Sequence, residues 1–207
     1  MFNNTKYLLF YRWLCVNLVG FSLLFLAWVN GWIGLAISAD PTHIILLIAG
    51  IFLYGLMLCG FKIWKTSKEL NYIKGDEFNK SSRLQNYMNL KKEHKHSDPN
   101  SLIEALKIRL FGKITFVRYL ANSLVLFGLV GTVVGFIIAF SGVDPSIVSD
   151  INAIAPMVTT LIQGMSVALY TTLAGAIFNI WLNFNYHILA DGTAKLVTAI
   201  LESKADV

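Results

Sequence analysis

Two apolar stretches in the second half of the chain carry the residues that could do chemistry. The first reads Leu126-Phe127-Gly128-Leu129-Val130-Gly131-Thr132-Val133-Val134-Gly135-Phe136. The second reads Gln163-Gly164-Met165-Ser166-Val167-Ala168-Leu169-Tyr170-Thr171-Thr172-Leu173-Ala174-Gly175. At i, i+3 and i, i+4 spacing, Gly128, Thr132, Gly135 and Ala139 fall on one helical face, and Gly164, Ala168, Thr172 and Gly175 on another. Small faces let apolar helices approach closely, inside one bundle or between subunits. The candidate packing residues are therefore Gly128, Gly131, Gly135, Gly164, Ala168 and Gly175.

Packing alone accounts less well for the hydroxyls. Thr132, Thr171 and Thr172 sit at the middle of their stretches, with Thr159, Thr160, Gln163 and Ser166 one to three turns away. A single threonine can bond the carbonyl four residues back, so one alone means little. A polar column along an otherwise apolar helix points to a hydrated ion path. The candidate path-lining residues are Thr132, Thr171, Thr172, Thr160 and Gln163.

What is missing is equally informative. None of the chain's four long apolar spans contains Asp, Glu, Lys or Arg. A pump or coupled transporter needs an ionisable group at depth, so a proton-conducting role requires a carboxylate from another polypeptide. No nucleophile–base pair, metal set or phosphate loop is visible; residues 128–135 lack the Lys-Ser/Thr ending of a P-loop. The expectation is a non-enzyme with no catalytic residue, resident cofactor or metal. His94 and His96, spaced i, i+2 among lysines without a third ligand, read as solvated.

The elements that must position these residues follow from the charge pattern. Of 207 residues, 56% are hydrophobic and 14% charged, at a mean hydropathy of +0.60, values a soluble domain of this size rarely reaches. Charges leave four long gaps, at 13–39, 41–61, 119–143 and 151–190. Each is long enough for the roughly 20 residues that cross a bilayer. The fold class is all-α: a polytopic membrane protein with four transmembrane helices, spans three and four extending into the cytoplasm. The first apolar run is too long for a signal peptide and reads as a retained span.

Thirteen of the 17 Lys and Arg lie between Lys62 and Arg118, and the connections around Asp40 and Asp144–Asp150 contain none. The positive-inside rule places both ends and the basic segment in the cytoplasm. The sequence pI near 9.2 then reflects topogenic charge beside anionic lipid rather than nucleic acid binding. Cys15 and Cys59 sit inside spans as small apolar residues, without a disulfide framework.

Four segments are expected: an N-terminal hairpin at 1–64, a basic cytoplasmic segment at 65–115, a channel-like region at 116–190 and a C-terminal cytoplasmic helix at 191–207. Within the hairpin, Asn30-Gly31 can end the first helix early, and Pro41 suits the start of the second. Asp98-Pro99 reads as the cap and first turn of one long helix running into span three. Span four is expected from Pro156, with Asp191-Gly192 interrupting its continuation.

The stretches at 128–135 and 164–175, in this order and behind a large basic loop, resemble the MotA/TolQ/ExbB ion-channel family over about 116–183. The resemblance implies a homopentamer around two copies of a single-span partner, similar to MotB, TolR or ExbD, that carries the membrane aspartate. It implies a stator subunit of an ion-motive-force-driven rotary motor in the bacterial inner membrane. The ion carried is H+, with Na+ as the alternative. Thr132 and Thr172 match the family's pore-facing threonines, and the tandem Thr171-Thr172 is similar to that of sodium-type flagellar stators. Four spans resemble the MotA branch, and Val167 stands where TolQ and ExbB have a glutamate. The cytoplasmic loop is shorter than that of flagellar MotA. The competing reading is a non-conducting membrane scaffold or assembly protein that uses the same small faces only for packing.

Overall fold

The structure, a computed structural model, describes residues 7–74, 99–143 and 151–202. Among these are five helices and no strand: α1 Leu8–Val29, α2 Trp32–Ala39, α3 Ile44–Lys74, α4 Pro99–Ser141 and α5 Ile151–Glu202. The loop with His94 and His96, the cap Asp98, the Asp144–Asp150 connection, Lys6 and Lys204 lie outside the described residues.

The sequence explains the breaks. Gly31 takes the left-handed conformation, φ 76°, which glycine adopts without a Cβ penalty, and the chain restarts at Trp32. Asp40 closes the next turn. Its carboxylate accepts from the Thr42 N–H at 3.0 Å and the Ile45 N–H at 2.8 Å, satisfying a donor that the start of α3 leaves free. Pro41 therefore sits in the turn, and the expectation that it begins the helix is corrected: α3 starts at Ile44.

The long helices outrun the expected spans. α3 continues past Ile63 to Lys74. α4 begins at Pro99, as its sequence predicts, and passes Gly112 without a break; at 1.5 Å per residue it is about 65 Å long. α5 begins at Ile151, five residues before the expected start at Pro156, and is about 78 Å long. Asp191-Gly192 does not interrupt it, because Gly192 forms a notch filled by the Leu9 side chain. Positions 65 and 191 thus lie inside continuous helices.

Two compact units are built from these helices. One comprises Met1–Leu18, Leu56–Arg118 and Phe184–Val207. Its core contains Leu110, Leu196, Val197 and Ile200, with Leu70 and Ala199 packed against them. Here α1 docks through side chains at i, i+4 spacing: Leu9 against Gly192, the Trp13 ring against Gly60, and Asn17, whose amide donates to Asn185 Oδ1 at 2.7 Å. The other unit comprises Val19–Gly55 and Tyr119–Asn183. In it Phe52 stacks on Phe178 with centroids 4.5 Å apart and meets Trp181 at 4.9 Å, while Leu182 fills the notch at Gly55.

Four helical stretches are long and apolar enough to cross a membrane: Leu8–Val29, Ile44–Tyr72, Lys107–Ser141 and Ile154–Ile200. Large apolar side chains point outward along them, Met57 at 78% exposure and Leu169 at 70% among them. A water-facing surface of that extent would aggregate, whereas lipid or another apolar surface accommodates it.

Candidate functional site

The site lies in the unit that contains Tyr119–Asn183, where α4 and α5 pack as antiparallel neighbours. Contacts descend α4 as they climb α5, from Gly142 beside Thr160, through Gly135 beside Gly164 and Ala168, to Gly128 beside Thr172 and Gly175. The glycines make this approach possible. A Cβ at Gly135 would lie 2.6 Å from the Gly164 carbonyl oxygen, and one at Gly175 would lie 2.7 Å from that of Leu124. A Cβ at Gly164 would strike the main chain of Ala139 and Gly135. Main-chain atoms of a packed helix cannot yield as a flexible side chain does, so these positions admit only glycine at this spacing. The two small faces are thus turned toward each other within one chain.

At the middle of the seam three oxygens converge. The Thr132 hydroxyl lies 3.2 Å from the carbonyl oxygen of Gly128 in its own helix, and the Thr172 hydroxyl reaches the same carbonyl from α5 at 3.3 Å. The two hydroxyls also contact each other. Each hydroxyl has one proton to donate and two lone pairs. Two protons therefore serve three oxygen–oxygen contacts, and lone pairs remain available. Such a cluster can donate to a carboxylate, accept from water or a carboxylic acid, or offer neutral oxygens to a small cation. Thr172 is exposed and Thr132 half-buried, so the cluster can be reached from outside the chain.

Thr171 is placed otherwise. It has no exposed surface, its hydroxyl donates to Val167 at 2.8 Å and contacts the Ala168 carbonyl at 3.1 Å, and its side chain fills the notch at Gly131. A side chain fully enclosed within its own chain cannot line a path that runs outside it. The expectation that Thr171 lines an ion path is therefore corrected: it packs the seam one residue away from the exposed Thr172.

The remaining candidates do not join the cluster. Thr160 is half-buried against Gly142 and donates to its own Pro156 carbonyl at 3.2 Å. Thr159 and Ser166 likewise return to their own helix, at 2.9 Å each. Gln163 is exposed. Among the described residues no hydrogen bond links Thr160 or Gln163 to Thr132 or Thr172, so the expected column reduces to a localised cluster at mid-seam.

Sequence reasoning missed Asn179. Its amide donates to the Ala121 carbonyl at 2.7 Å and ties α5 to α4 two turns beyond Thr172. The available signal was an amide in an uncharged apolar helix, one turn past Gly175, where it must find a partner. Val167 is fully buried. No group of three or more potential metal ligands occurs among the described residues.

Four long apolar helices, outward-facing hydrophobic side chains and a charge-free helix seam define a multi-pass α-helical membrane protein. A sequence profile of the MotA/TolQ/ExbB proton channel family matches residues 78–202, more than half of the chain. The chain belongs to this family. Neither the curated proteins nor the solved structures contain a match.

Proposed function

We propose that this protein is the channel-forming stator subunit of a rotary motor driven by ion-motive force. In this reading five copies surround two copies of a single-span partner of the MotB, TolR or ExbD kind, in the bacterial inner membrane, with both ends of the chain in the cytoplasm. The observation that carries it is the exposed oxygen cluster of Thr132, Thr172 and Gly128 in a seam without any Asp, Glu, Lys or Arg between 119 and 143 or between 151 and 190. The site has hydrogen-bonding groups for a carboxylate but supplies none, so a partner aspartate completes it.

The mechanism follows from desolvation. A charged aspartate is costly against an apolar wall and gains most where the Thr132 and Thr172 hydroxyls can donate to it. Taking up H+ neutralises it and removes that preference, so it can pass Leu169 and Leu173, exposed apolar residues of the same helix. Na+ is the alternative ion, because the cluster offers neutral oxygens alone. Five sites around two aspartates never align at once, so alternating these states biases rotation. One charge moved through 100 mV supplies about 2.3 kcal/mol, enough to bias each step. Absence of the TolQ/ExbB glutamate at Val167, together with four spans, supports the MotA branch of the family.

The competing scaffold reading draws on one observation: both small faces are consumed within the chain. Thr172→Val separates the two. It removes a hydroxyl with little change of shape, so a motor keeps its subunit count and partner but loses ion-driven activity. Cryo-EM of the complex with whatever co-purifies gives the count, and ion uptake by reconstituted vesicles gives the activity. Unaltered ion flow in Thr172→Val, or a two-fold assembly, would refute the motor reading.

A further inference from the structure

We propose that the α3–α4 flank of the unit containing Leu56–Arg118 holds the headgroup of an anionic phospholipid. One exposed stripe of α3 carries two aromatic rings and a cation. Phe61 is 62% exposed and Trp64 50%, their ring centroids 6.5 Å apart, while Cys59 and Ile63 on the opposite side are buried. Lys65 follows directly on the exposed side. Aromatic rings succeeded by a cation mark the level at which a helix leaves hydrocarbon for headgroups.

The neighbouring helix adds charge at the same level. The Lys62 ammonium donates to the main-chain carbonyl of Lys113, which ties α3 to α4 at this point. Lys65 lies one turn beyond Lys62, and Arg109 one turn before Lys113. Lys65, Arg109 and Lys113 are all exposed, and none has a carboxylate partner among the described residues. Of the acids in this unit whose side chains the structure describes, Glu69 is buried, while Glu104 and Asp191 are exposed. Cations gathered on two contacting helices, with no carboxylate paired to Lys65, Arg109 or Lys113 among the described residues, attract an anion. The exposed rings beside them select one with an acyl chain, because a free phosphate ion would leave Phe61 and Trp64 uncovered. Lipid binding at this flank does not depend on ion conduction and stands or falls separately from the motor reading.

The full chain is reconstituted into vesicles of equal phosphatidylcholine and phosphatidylglycerol and extracted with its lipid annulus. The co-extracted lipid is then quantified by mass spectrometry against the bulk bilayer. We expect phosphatidylglycerol to be enriched around the wild type, and its excess over the bulk to shrink with each cation removed in Lys65→Gln, Arg109→Gln and Lys113→Gln and to be lost when all three are removed. The charge-keeping set Lys65→Arg, Arg109→Lys, Lys113→Arg retains it, as does Lys195→Gln, which removes a cation elsewhere in the unit. Excess inorganic phosphate does not displace the lipid. The proposal is overturned by absence of enrichment in the wild type, by equal loss in Lys195→Gln, by loss in the charge-keeping set, or by displacement with phosphate.

Discussion

Thr132 and Thr172, forty residues apart in sequence, meet hydroxyl to hydroxyl across the α4–α5 seam and share the carbonyl of Gly128. Their neighbour Thr171 is turned into the seam and bonded to its own helix. Adjacent threonines of one motif are thus divided between the exposed cluster and the packed seam by the 100° that separates successive residues of a helix.

That division gives the first prediction. Thr171→Val preserves the shape that fills the Gly131 notch and loses only bonds to carbonyls of its own helix. Ion uptake by vesicles should stay close to wild type, and stability should fall by less than about 1 kcal/mol. Thr172→Val, measured in parallel, should abolish uptake. Equal loss in both variants would place the two hydroxyls in one role.

Glycine contacts yield the second. Gly164→Ala drives a methyl group into the main chain of Ala139 and Gly135, and overpacking of this kind costs about 1–3 kcal/mol. Gly50 lies in the interior of α3 with no atom within 4 Å of an added Cβ. Gly50→Ala should therefore be neutral, or raise stability by about 0.5–1 kcal/mol through helix propensity. Thermal unfolding of the two variants in the same detergent checks the contrast, and a stabilised Gly164→Ala would show that the seam is looser than described.

The third prediction concerns the docking of α1. Asn17 and Asn185 are both buried and joined by a 2.7 Å amide bond, and Asn17 also donates to the Trp13 carbonyl at 2.8 Å. Asn17→Ala leaves a buried amide short of a donor and should cost about 1–3 kcal/mol. A double-mutant cycle with Asn185→Ala should show a coupling of about 0.6 kcal/mol, and no more than about 1.7. Additive effects would mean that the two amides are stabilised independently.

Asp40 supplies the fourth. It closes the α2–α3 turn by accepting from Thr42 and Ile45. Asp40→Ala should lower stability by about 1 kcal/mol, as for loss of a helix cap, and leave ion uptake unchanged. Chemical denaturation measures the first and vesicle uptake the second; loss of uptake in a stable variant would move Asp40 into the ion path.

By itself the sequence determined the properties that solvent dictates. Four charge-free stretches fixed four helices long enough for a bilayer, because the backbone there can satisfy its polar groups only internally. Gly31 marked the break in the first hairpin and Pro99 the start of α4, since each has local backbone chemistry of its own. The small faces around Gly135 and Gly164 were likewise visible, because helical periodicity alone places their members together.

Tertiary contact decided the rest. Whether the small faces serve the chain or its neighbours depends on which helix comes to lie opposite, and the α4–α5 seam turns them toward each other. Gly192 looked like a helix breaker until the Leu9 side chain occupied its notch. Thr171 and Thr172 have the same side chain and adjacent positions, yet only one is enclosed. Composition cannot distinguish them, because burial belongs to the packed pair of helices and not to either residue.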